Sequence, residues 1–228
     1  ASFGSFDNQI RDAITKLAHI HFVAAEPMRR RLLNLGEEDH RIHVVGAPGL
    51  DNVARIAGES RYRLNTFVVT YHPPTLGGDG GVRALLNVLG RFPDYDVLWT
   101  GTNNDPGAED IADAFGDAGY QAVNLGADEY LRIVHQCAAV VGNSSSGIIE
   151  APSLGVPSVT VGRRQDGRLK GPSIIDCPED AGAIAAAIRL ALAYNGPFDN
   201  PYGGPGASKR IADILATAEI DMVKRWSS

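Results

Sequence analysis

The sequence predicts an α/β protein built around a doubly wound parallel sheet. Short apolar segments rich in β-branched residues alternate with amphipathic segments along most of the 228 residues. The apolar segments are continuous, which indicates strands buried on both faces, as in a parallel sheet covered by helices. Hydrophobic residues make up 44% of the chain, enough to bury a full core.

The N-terminal part of the sequence predicts one β-α-β unit without the rest of its sheet. Ile10, Ile14 and Leu17 recur at helical spacing, while Pro27 and Gly36 stand where a second helix would begin and end. The predicted elements are a helix over 7–19, a strand over 21–25, a helix over 28–35 and a strand over 42–46.

The middle of the sequence predicts a complete doubly wound domain. Its predicted strands are 67–71 (FVVTY), 96–100 (DVLWT), a short strand ending at Val123, 138–142 (AAVVG) and 158–161 (SVTV). A first predicted helix begins near Asp51. Further predicted helices cover 82–89, 111–118, 128–137, 146–154 and 181–194. Glycines predict a flexible loop at 77–81, and the Gly/Pro/Asn-rich stretch 195–206 is the best candidate linker to a last helix from 207 to about 226.

Composition and charge narrow the function classes. The formal net charge is −6 without a basic stripe, which argues against a nucleic-acid partner. Neither a cationic segment nor an apolar run of roughly 20 residues is visible, so we expect no membrane partner. Cys137 and Cys177 form no disulfide framework, and the six histidines show no metal-ligand spacing. We therefore expect a reduced, cytoplasmic protein without a metal.

The strongest motif runs from a predicted strand into a predicted helix as VVGNSSSGIIEAPSLGVP, residues 140–157. The start of a helix offers unpaired N–H groups and a positive dipole end, which suit a phosphate, and serine hydroxyls add donors. Glu150 lies one helical turn after Ser146 on the same face, where a carboxylate can accept both hydroxyls of a ribose. Ser144 or Ser146 could equally serve only to cap the helix.

The same motif, together with GRRQDGR at 162–168, resembles the hydrolysing UDP-N-acetylglucosamine 2-epimerases of sialic-acid-type sugar pathways, with the non-hydrolysing epimerases as more distant relatives. Further matching stretches extend the resemblance over almost the whole chain: FDNQIRDAITKLAHIHFVAAE (6–26), RIHVVGAPGLDNV (41–53), VVTYHPPT (68–75) and NPYGGPGASKRI (200–211).

The resemblance implies a glycosyltransferase-B-like architecture, in which two Rossmann-like domains hold the UDP-sugar in the cleft between them. Residues 1–48 would end an N-terminal Rossmann-like domain, and 49–195 would form the C-terminal UDP-binding domain. Residues 196–228 would be a linker and a C-terminal helix that crosses back to the N-terminal domain. The family carries most of its N-terminal domain before this point, so we expect this sequence to be a partial protein, inactive alone and a homo-oligomer when intact.

The resemblance also implies the roles of individual residues. Ser144, Ser145 and Glu150 would hold the diphosphate and ribose of UDP. Arg163 and Arg164 both follow the SVTV strand, and charge alone does not choose between them as partners of a diphosphate, but the family pattern favours Arg164.

Two further candidates end buried strands. His72 follows FVVTY and precedes two prolines, and a histidine can move a proton or contact phosphate near neutral pH; the family has an important histidine at this motif. Asn103 follows DVLWT and could bond the uracil or the sugar amide, although Asn-Asp-Pro-Gly makes a turn by itself.

The first predicted helix carries one candidate and one departure from the family. Asp7 could be an N-cap, but the family has a carboxylate near the sugar at this helix, so Asp7 is a candidate acid or base. Where the family usually reads Arg-His-Ala-Ile-Thr-Lys, this chain has Asp12 after Arg11, which replaces a possible cation with an anion.

In the family reaction, as the resemblance implies it, a base removes the proton at C2 of the sugar while UDP leaves C1. Water then adds across the resulting alkene, giving UDP and the free 2-epimer, such as N-acetylmannosamine, with no cofactor. Two alternatives remain: a UDP-sugar glycosyltransferase of the same architecture, and a non-catalytic UDP-sugar-binding fragment.

Overall fold

The computed structural model describes residues 7–73, 81–219, 221 and 223–225, without the side chains of Asp7 and Asn8. Within these residues two parallel sheets are present. The smaller sheet pairs β1 (His21–Val23) with β2 (Ile42–Val44), in the register His21 opposite Ile42. Most of the glycine-rich loop predicted at 77–81 lies outside the described residues.

The larger sheet has five parallel strands in the order β4-β3-β5-β6-β7. These strands are β3 (Thr66–Thr70), β4 (Asp96–Trp99), β5 (Ala139–Gly142), β6 (Ser158–Val161) and β7 (Ile174–Cys177). Their parallel pairing confirms the predicted fold class.

Helices connect the strands, as the alternating pattern predicts, except between β6 and β7, which a loop joins. They are α1 (Asp7–Leu17), α2 (Glu26–Asn34), α3 (Leu50–Ala57), α4 (Val82–Leu89), α5 (Ala108–Asp117), α6 (Ala127–Gln136), α7 (Ser146–Ser153), α8 (Ala181–Leu192) and α9 (Ala207–Thr217). None of the helices in the described part of the chain is both long and apolar enough to cross a bilayer.

Both faces of the five-stranded sheet are buried. Successive residues of β3 show this, because Phe67 and Val69 pack into one hydrophobic cluster and Val68 into another, and each is fully buried. The first cluster includes residues of α4, α5 and α8, and the second includes residues of α3, α6 and α7. The continuous apolar pattern of the strands reflects this two-sided burial.

Three predicted elements differ from the structure. The strand predicted to end at Val123 does not form; the Val123 N–H makes a single 2.8 Å bond to the Trp99 carbonyl, and the surrounding residues are largely exposed. Strand β7 was not predicted, because its four residues include a charged Asp176 and follow a Gly-Pro-Ser turn. The last helix ends at Thr217, not near 226; residues 226–228 lie outside the description.

The segment after α8 lies against the rest of the chain. Tyr202 is 4% exposed and packs in the α3/α6/α7 cluster. Asn200 donates to the Ile149 carbonyl at 2.7 Å, and Asp51 accepts bonds from the backbone N–H groups at the start of α9. These bonds hold the first turn of α3 and the middle of α7, which border the site described below.

A buried ion cluster joins the N-terminal block, which comprises α1, β1, α2 and β2, to the residues after α9. Glu37 is 1% exposed and contacts Lys16 and His21 at 2.9 Å and Lys224 at 2.5 Å. Burial pushes the pKa of Glu37 upward, but hydrogen bonds from Lys224, Lys16 and His21 outweigh it and lower that pKa to about 2. The carboxylate is therefore charged at neutral pH.

Candidate functional site

The candidate site lies at the carboxyl edge of the five-stranded sheet, where the strand order reverses. β3 has β4 on one side and β5 on the other, so the loops after β3 and β5 diverge and leave a crevice between them. His72 follows β3 and Ser144 follows β5, while Asn103 and Arg164 follow the neighbouring strands β4 and β6. The sheet therefore gathers these predicted side chains along one edge.

Asn143 links the loops that follow β3, β5 and β6, beside the crevice. Its Oδ1 accepts from the His72 backbone N–H at 2.7 Å, and its Nδ2 donates to the His72 carbonyl at 2.8 Å. Its own carbonyl accepts from Gln165 Nε2 at 2.6 Å and lies 3.5 Å from Arg164 Nη1. One buried asparagine thus links the ends of β3, β5 and β6. Asn143 belongs to the serine motif of the sequence, where the pattern alone indicates no function for it.

Gly142 allows β3 and β5 to approach closely at the base of the crevice. Its φ is +141°, and a Cβ built there would lie 2.0 Å from the Thr70 carbonyl oxygen. No side chain fits at that distance. Glycine at this position is therefore required by the geometry that places Asn143 and the serine loop beside His72.

His72 is held in a neutral form whose remaining ring N–H can donate a hydrogen bond. Its Nδ1 accepts from the Asn103 backbone N–H at 3.1 Å, which leaves Nε2 as the protonated nitrogen of the neutral ring. Burial and then the Arg164 cation lower the pKa of His72 to about 4, while Asp105 acts in the opposite direction. An anion bound near this ring would raise that pKa.

The two adjacent arginines have different environments. Arg163 is 88% exposed and pairs with Asp166 at 2.9 Å, outside the crevice. Arg164 is 23% exposed, lies 3.7 Å from Asp105, and has a buried Nε without a hydrogen-bond partner in the protein. Arg164 is therefore the arginine placed beside His72 and the serine loop.

Other buried polar atoms along this edge also lack a partner in the protein. Beside Arg164 Nε they are Thr102 Oγ1, Asn103 Oδ1, Glu150 Oε2 and Gln165 Oε1. Buried polar groups are normally hydrogen-bonded, so such a concentration of unpaired atoms is typical of a site for a polar ligand. Thr102 and Gln165 are not among the residues predicted from the sequence; only their positions next to Asn103 and Arg164 could have suggested them.

The serine loop ends in the first turn of α7. Ser145 occupies the N-cap position, but its side chain makes no cap bond. Ser144 Oγ accepts only a long 3.4 Å bond from the Ser146 N–H. The Ser146 hydroxyl accepts a 2.7 Å bond from the Tyr130 hydroxyl on α6. Capping thus accounts for little of this serine run, and the N-terminal N–H groups of α7 face the crevice edge.

Glu150 lies one turn further along α7. Burial raises the pKa of its carboxyl, and bonds from its own backbone and from Ser146 partly counter that effect. Its Oε2 is buried and unpaired, while a Cβ built on Gly49 would lie 3.6 Å from Oε1. The carboxyl is therefore enclosed by the loop before α3 and has one oxygen free to accept hydrogen bonds.

The N-terminal block lines a cavity beside α7. Helix α1 begins at Asp7, the candidate carboxylate, whose side chain lies outside the described residues. Asp12 accepts two bonds from Arg31, at 3.0 and 3.1 Å. A cavity of about 420 Å³ separates this block from Ile149, the neighbour of Glu150, and Arg11, Arg31 and Arg168 line it.

The described residues contain no group of three or more histidine, cysteine, aspartate or glutamate side chains placed to hold a metal ion. The two free cysteines are both buried. The side chains and backbone along this edge present N–H, hydroxyl, guanidinium, imidazole and carboxyl groups.

Comparison with known proteins gives a consistent result. A family model described as UDP-N-acetylglucosamine 2-epimerase matches residues 1–216. A Legionella pneumophila protein named UDP-N,N'-diacetylbacillosamine 2-epimerase (hydrolyzing) is 31% identical over 95% of this chain and 62% of its own length. The Escherichia coli polysialic acid biosynthesis protein P7 is 29% identical over 83% of this chain and 53% of its own length. The chain thus spans between about half and three fifths of these relatives.

Solved structures show the same fold. The S. aureus MnaA–UDP co-structure superposes with a TM-score of 0.68 at 16% identity, covering 89% of this chain and 60% of that one. At this identity the likeness concerns the fold alone. It confirms the predicted glycosyltransferase-B-like α/β class.

Proposed function

The chain belongs to the UDP-N-acetylglucosamine 2-epimerase family, and from that premise we propose that its sheet edge binds the UDP part of a UDP-sugar. The observation that carries the proposal is the arrangement on α7. A serine loop opens this helix beside Arg164, and Glu150 presents an unpaired oxygen one turn later. Diphosphate and ribose are the two parts of a nucleotide that need these two kinds of group.

The diphosphate would lie at the N-terminus of α7. Its charge is complemented there by the helix dipole, the N–H groups of the first turn and the hydroxyls of Ser144 and Ser145. Arg164 is close enough to the serine loop to add a guanidinium, which suits phosphate oxygens. The Nε2–H of His72 would donate a further hydrogen bond.

The nucleoside would lie deeper along the same edge. Glu150 would accept the hydroxyls of the ribose, one helical turn from the phosphates. The unpaired Asn103 Oδ1 would accept an N–H, either from uracil N3 or from the sugar amide.

For the reaction we propose the hydrolysing 2-epimerase chemistry, in keeping with the names of curated relatives. A base takes the C2 proton, the C1–O bond breaks and UDP leaves; water then adds to C1 and a proton to the opposite face of C2. Negative charge develops on the leaving diphosphate, where Arg164, His72 and the α7 N–H groups would stabilise it. Carboxylates would move the protons, with Asp7 as the candidate in this chain.

The sugar is either N-acetylglucosamine or a diacetamido trideoxy analogue, since both kinds of substrate stand in the names of relatives. We place the protein in the cytoplasm. One observation favours a second candidate function, binding without turnover. Asp12 stands where the family usually has histidine, and its carboxylate accepts hydrogen bonds from Arg31.

Calorimetry with UDP tests the binding proposal. Glu150→Ala should weaken UDP binding by about 1–3 kcal/mol, the scale of a lost hydrogen bond to a charged group. Glu26→Ala is the matched control, because Glu26 is 47% exposed on α2 and forms ion pairs with Arg29 and Arg30 of the same helix. Wild-type affinity in Glu150→Ala would overturn the ribose assignment.

Product analysis in D₂O tests the reaction. Free 2-epimer carrying deuterium at C2, formed together with UDP, is the expected product. A UDP-linked epimer would contradict hydrolysis, transfer of the sugar to an acceptor would indicate a glycosyltransferase, and tight binding without turnover would favour the second candidate.

A further inference from the structure

A tyrosine outside the predicted site contacts it through a serine. Tyr130 lies on α6, and its hydroxyl donates to Ser146 Oγ at 2.7 Å, across 16 residues of sequence. Burial raises the pKa of the phenol to about 12, so the hydroxyl keeps its proton at any working pH. The protonated hydroxyl is therefore available as the donor to Ser146.

This contact determines the direction of the next hydrogen bond. A serine hydroxyl has one proton, and one that accepts from Tyr130 must direct its own proton elsewhere. Glu150 lies four residues after Ser146, on the same face of α7, and the Ser146 hydroxyl bond acts on its carboxyl. The resulting path runs from Tyr130 through Ser146 to Glu150.

The path leaves Glu150 with one oxygen for a ligand. Its Oε2 is buried and has no partner in the protein. A carboxylate held on one side by a serine donor is fixed in orientation on the other side, which is what recognition of a sugar diol requires.

We propose that Tyr130 is a positioning residue, which acts through Ser146 to aim the Glu150 carboxylate at the ribose diol, so that preference for a ribonucleotide over a 2'-deoxyribonucleotide depends on Tyr130. The proposal rests on the UDP site proposed above. It goes beyond it by naming the residue on α6 that gives Glu150 its orientation.

The test compares Tyr130→Phe with Tyr62→Phe in the full chain. Both changes remove one hydroxyl and keep the ring; Tyr62 is 63% exposed. Calorimetry with UDP and with 2'-deoxy-UDP should show Tyr130→Phe binding UDP about fivefold to tenfold more weakly, the scale of one hydrogen bond. Its binding of 2'-deoxy-UDP should change much less, and Tyr62→Phe should match wild type with both ligands.

The pH profile separates positioning from packing. A donor to a carboxylate favours its charged form, so losing the Ser146 bond should raise the pKa of Glu150 further. Since UDP binding needs the carboxylate, the acid limb of the Tyr130→Phe profile should move to higher pH. Ser146→Ala should reproduce both effects, and the double variant should be no weaker than Ser146→Ala alone.

Equal losses for UDP and 2'-deoxy-UDP with an unmoved pH profile would overturn the proposal and leave Tyr130 a packing residue. Additive losses in the double variant would also overturn it. A different result would identify failure of the UDP site itself: wild type that binds UDP and 2'-deoxy-UDP equally, with Glu150→Gln unchanged, would remove the ribose assignment and with it the role of Tyr130.

Discussion

The variants Arg164→Ala and Arg163→Ala test whether the site recognises the charge of the diphosphate through one specific arginine. Both variants remove one positive charge from neighbouring positions after β6. They differ in setting, because Arg164 is 23% exposed beside the serine loop and Arg163 is 88% exposed and paired with Asp166. A general effect of net charge would act on both alike, whereas a specific diphosphate contact would act only on Arg164.

The expected size follows from the surroundings of Arg164. A hydrogen bond between charged groups contributes about 1.5–3 kcal/mol, which corresponds to a loss of roughly ten- to 150-fold in the affinity for UDP. For Arg163→Ala we expect a change of about threefold or less, because exposed charges are screened by solvent. Calorimetry with UDP at fixed ionic strength measures both.

His72 provides an independent readout of the same change. Burial and then the Arg164 cation hold the pKa of His72 at about 4. Arg164→Ala should raise it towards the ordinary value, and Arg163→Ala should leave it unchanged, as followed by NMR titration of the imidazole. Similar losses of affinity in both variants, or an unmoved His72 titration in Arg164→Ala, would refute this placement of Arg164.

Three further predictions concern the fold and the reaction. Glu37→Gln should lower stability at pH 7 by about 2–3 kcal/mol, at the low end for breaking a buried ion pair because Lys16 and Lys224 keep 29% and 18% exposure. Because the folded-state pKa of Glu37 is lowered, its contribution to stability should be present above pH 4.5 and lost as pH falls towards 2. Urea unfolding of Glu37→Gln, compared with the control Glu26→Gln, measures this contribution. Equal unfolding free energies in the two variants would contradict it. Gly142→Ala should destabilise the chain by about 3 kcal/mol or more, because its Cβ would meet the Thr70 carbonyl; thermal melts close to wild type would contradict the close approach. His72→Ala should reduce turnover in the intact protein with little change in melting temperature, and unchanged turnover would make His72 a structural residue.

The sequence predicts the fold class because strands buried on both faces require runs of consecutive apolar residues, and such runs can be recognised within a short stretch of sequence. The three central residues of β3, Phe67, Val68 and Val69, are all apolar since helices cover both faces of the sheet, and this uninterrupted run is visible in the sequence. β7 shows the limit: its exposed Asp176 interrupts the apolar run, and pairing with β6 supplies the order that the local sequence does not. Val123 shows the opposite case, in which an apolar segment predicted a strand that does not form. Its N–H makes one hydrogen bond, to the Trp99 carbonyl at the end of β4.

The site was predictable where strand ends bring residues together. His72, the serine loop and Arg164 follow adjacent strands, so a parallel sheet collects them without knowledge of side-chain contacts. The Asn143 side-chain bonds to His72 and the Tyr130 contact with Ser146 depend on distances across distant segments, which no local pattern contains. The difference between Arg163 and Arg164 likewise needs burial, since both carry the same charge.

The most direct measurement is a crystal structure of the chain with UDP. We predict the diphosphate at the N-terminus of α7 in contact with Arg164, with Glu150 oxygens within about 3.2 Å of the ribose hydroxyls, the range of a hydrogen bond. UDP bound elsewhere, or at this edge with the ribose turned away from Glu150, would contradict it.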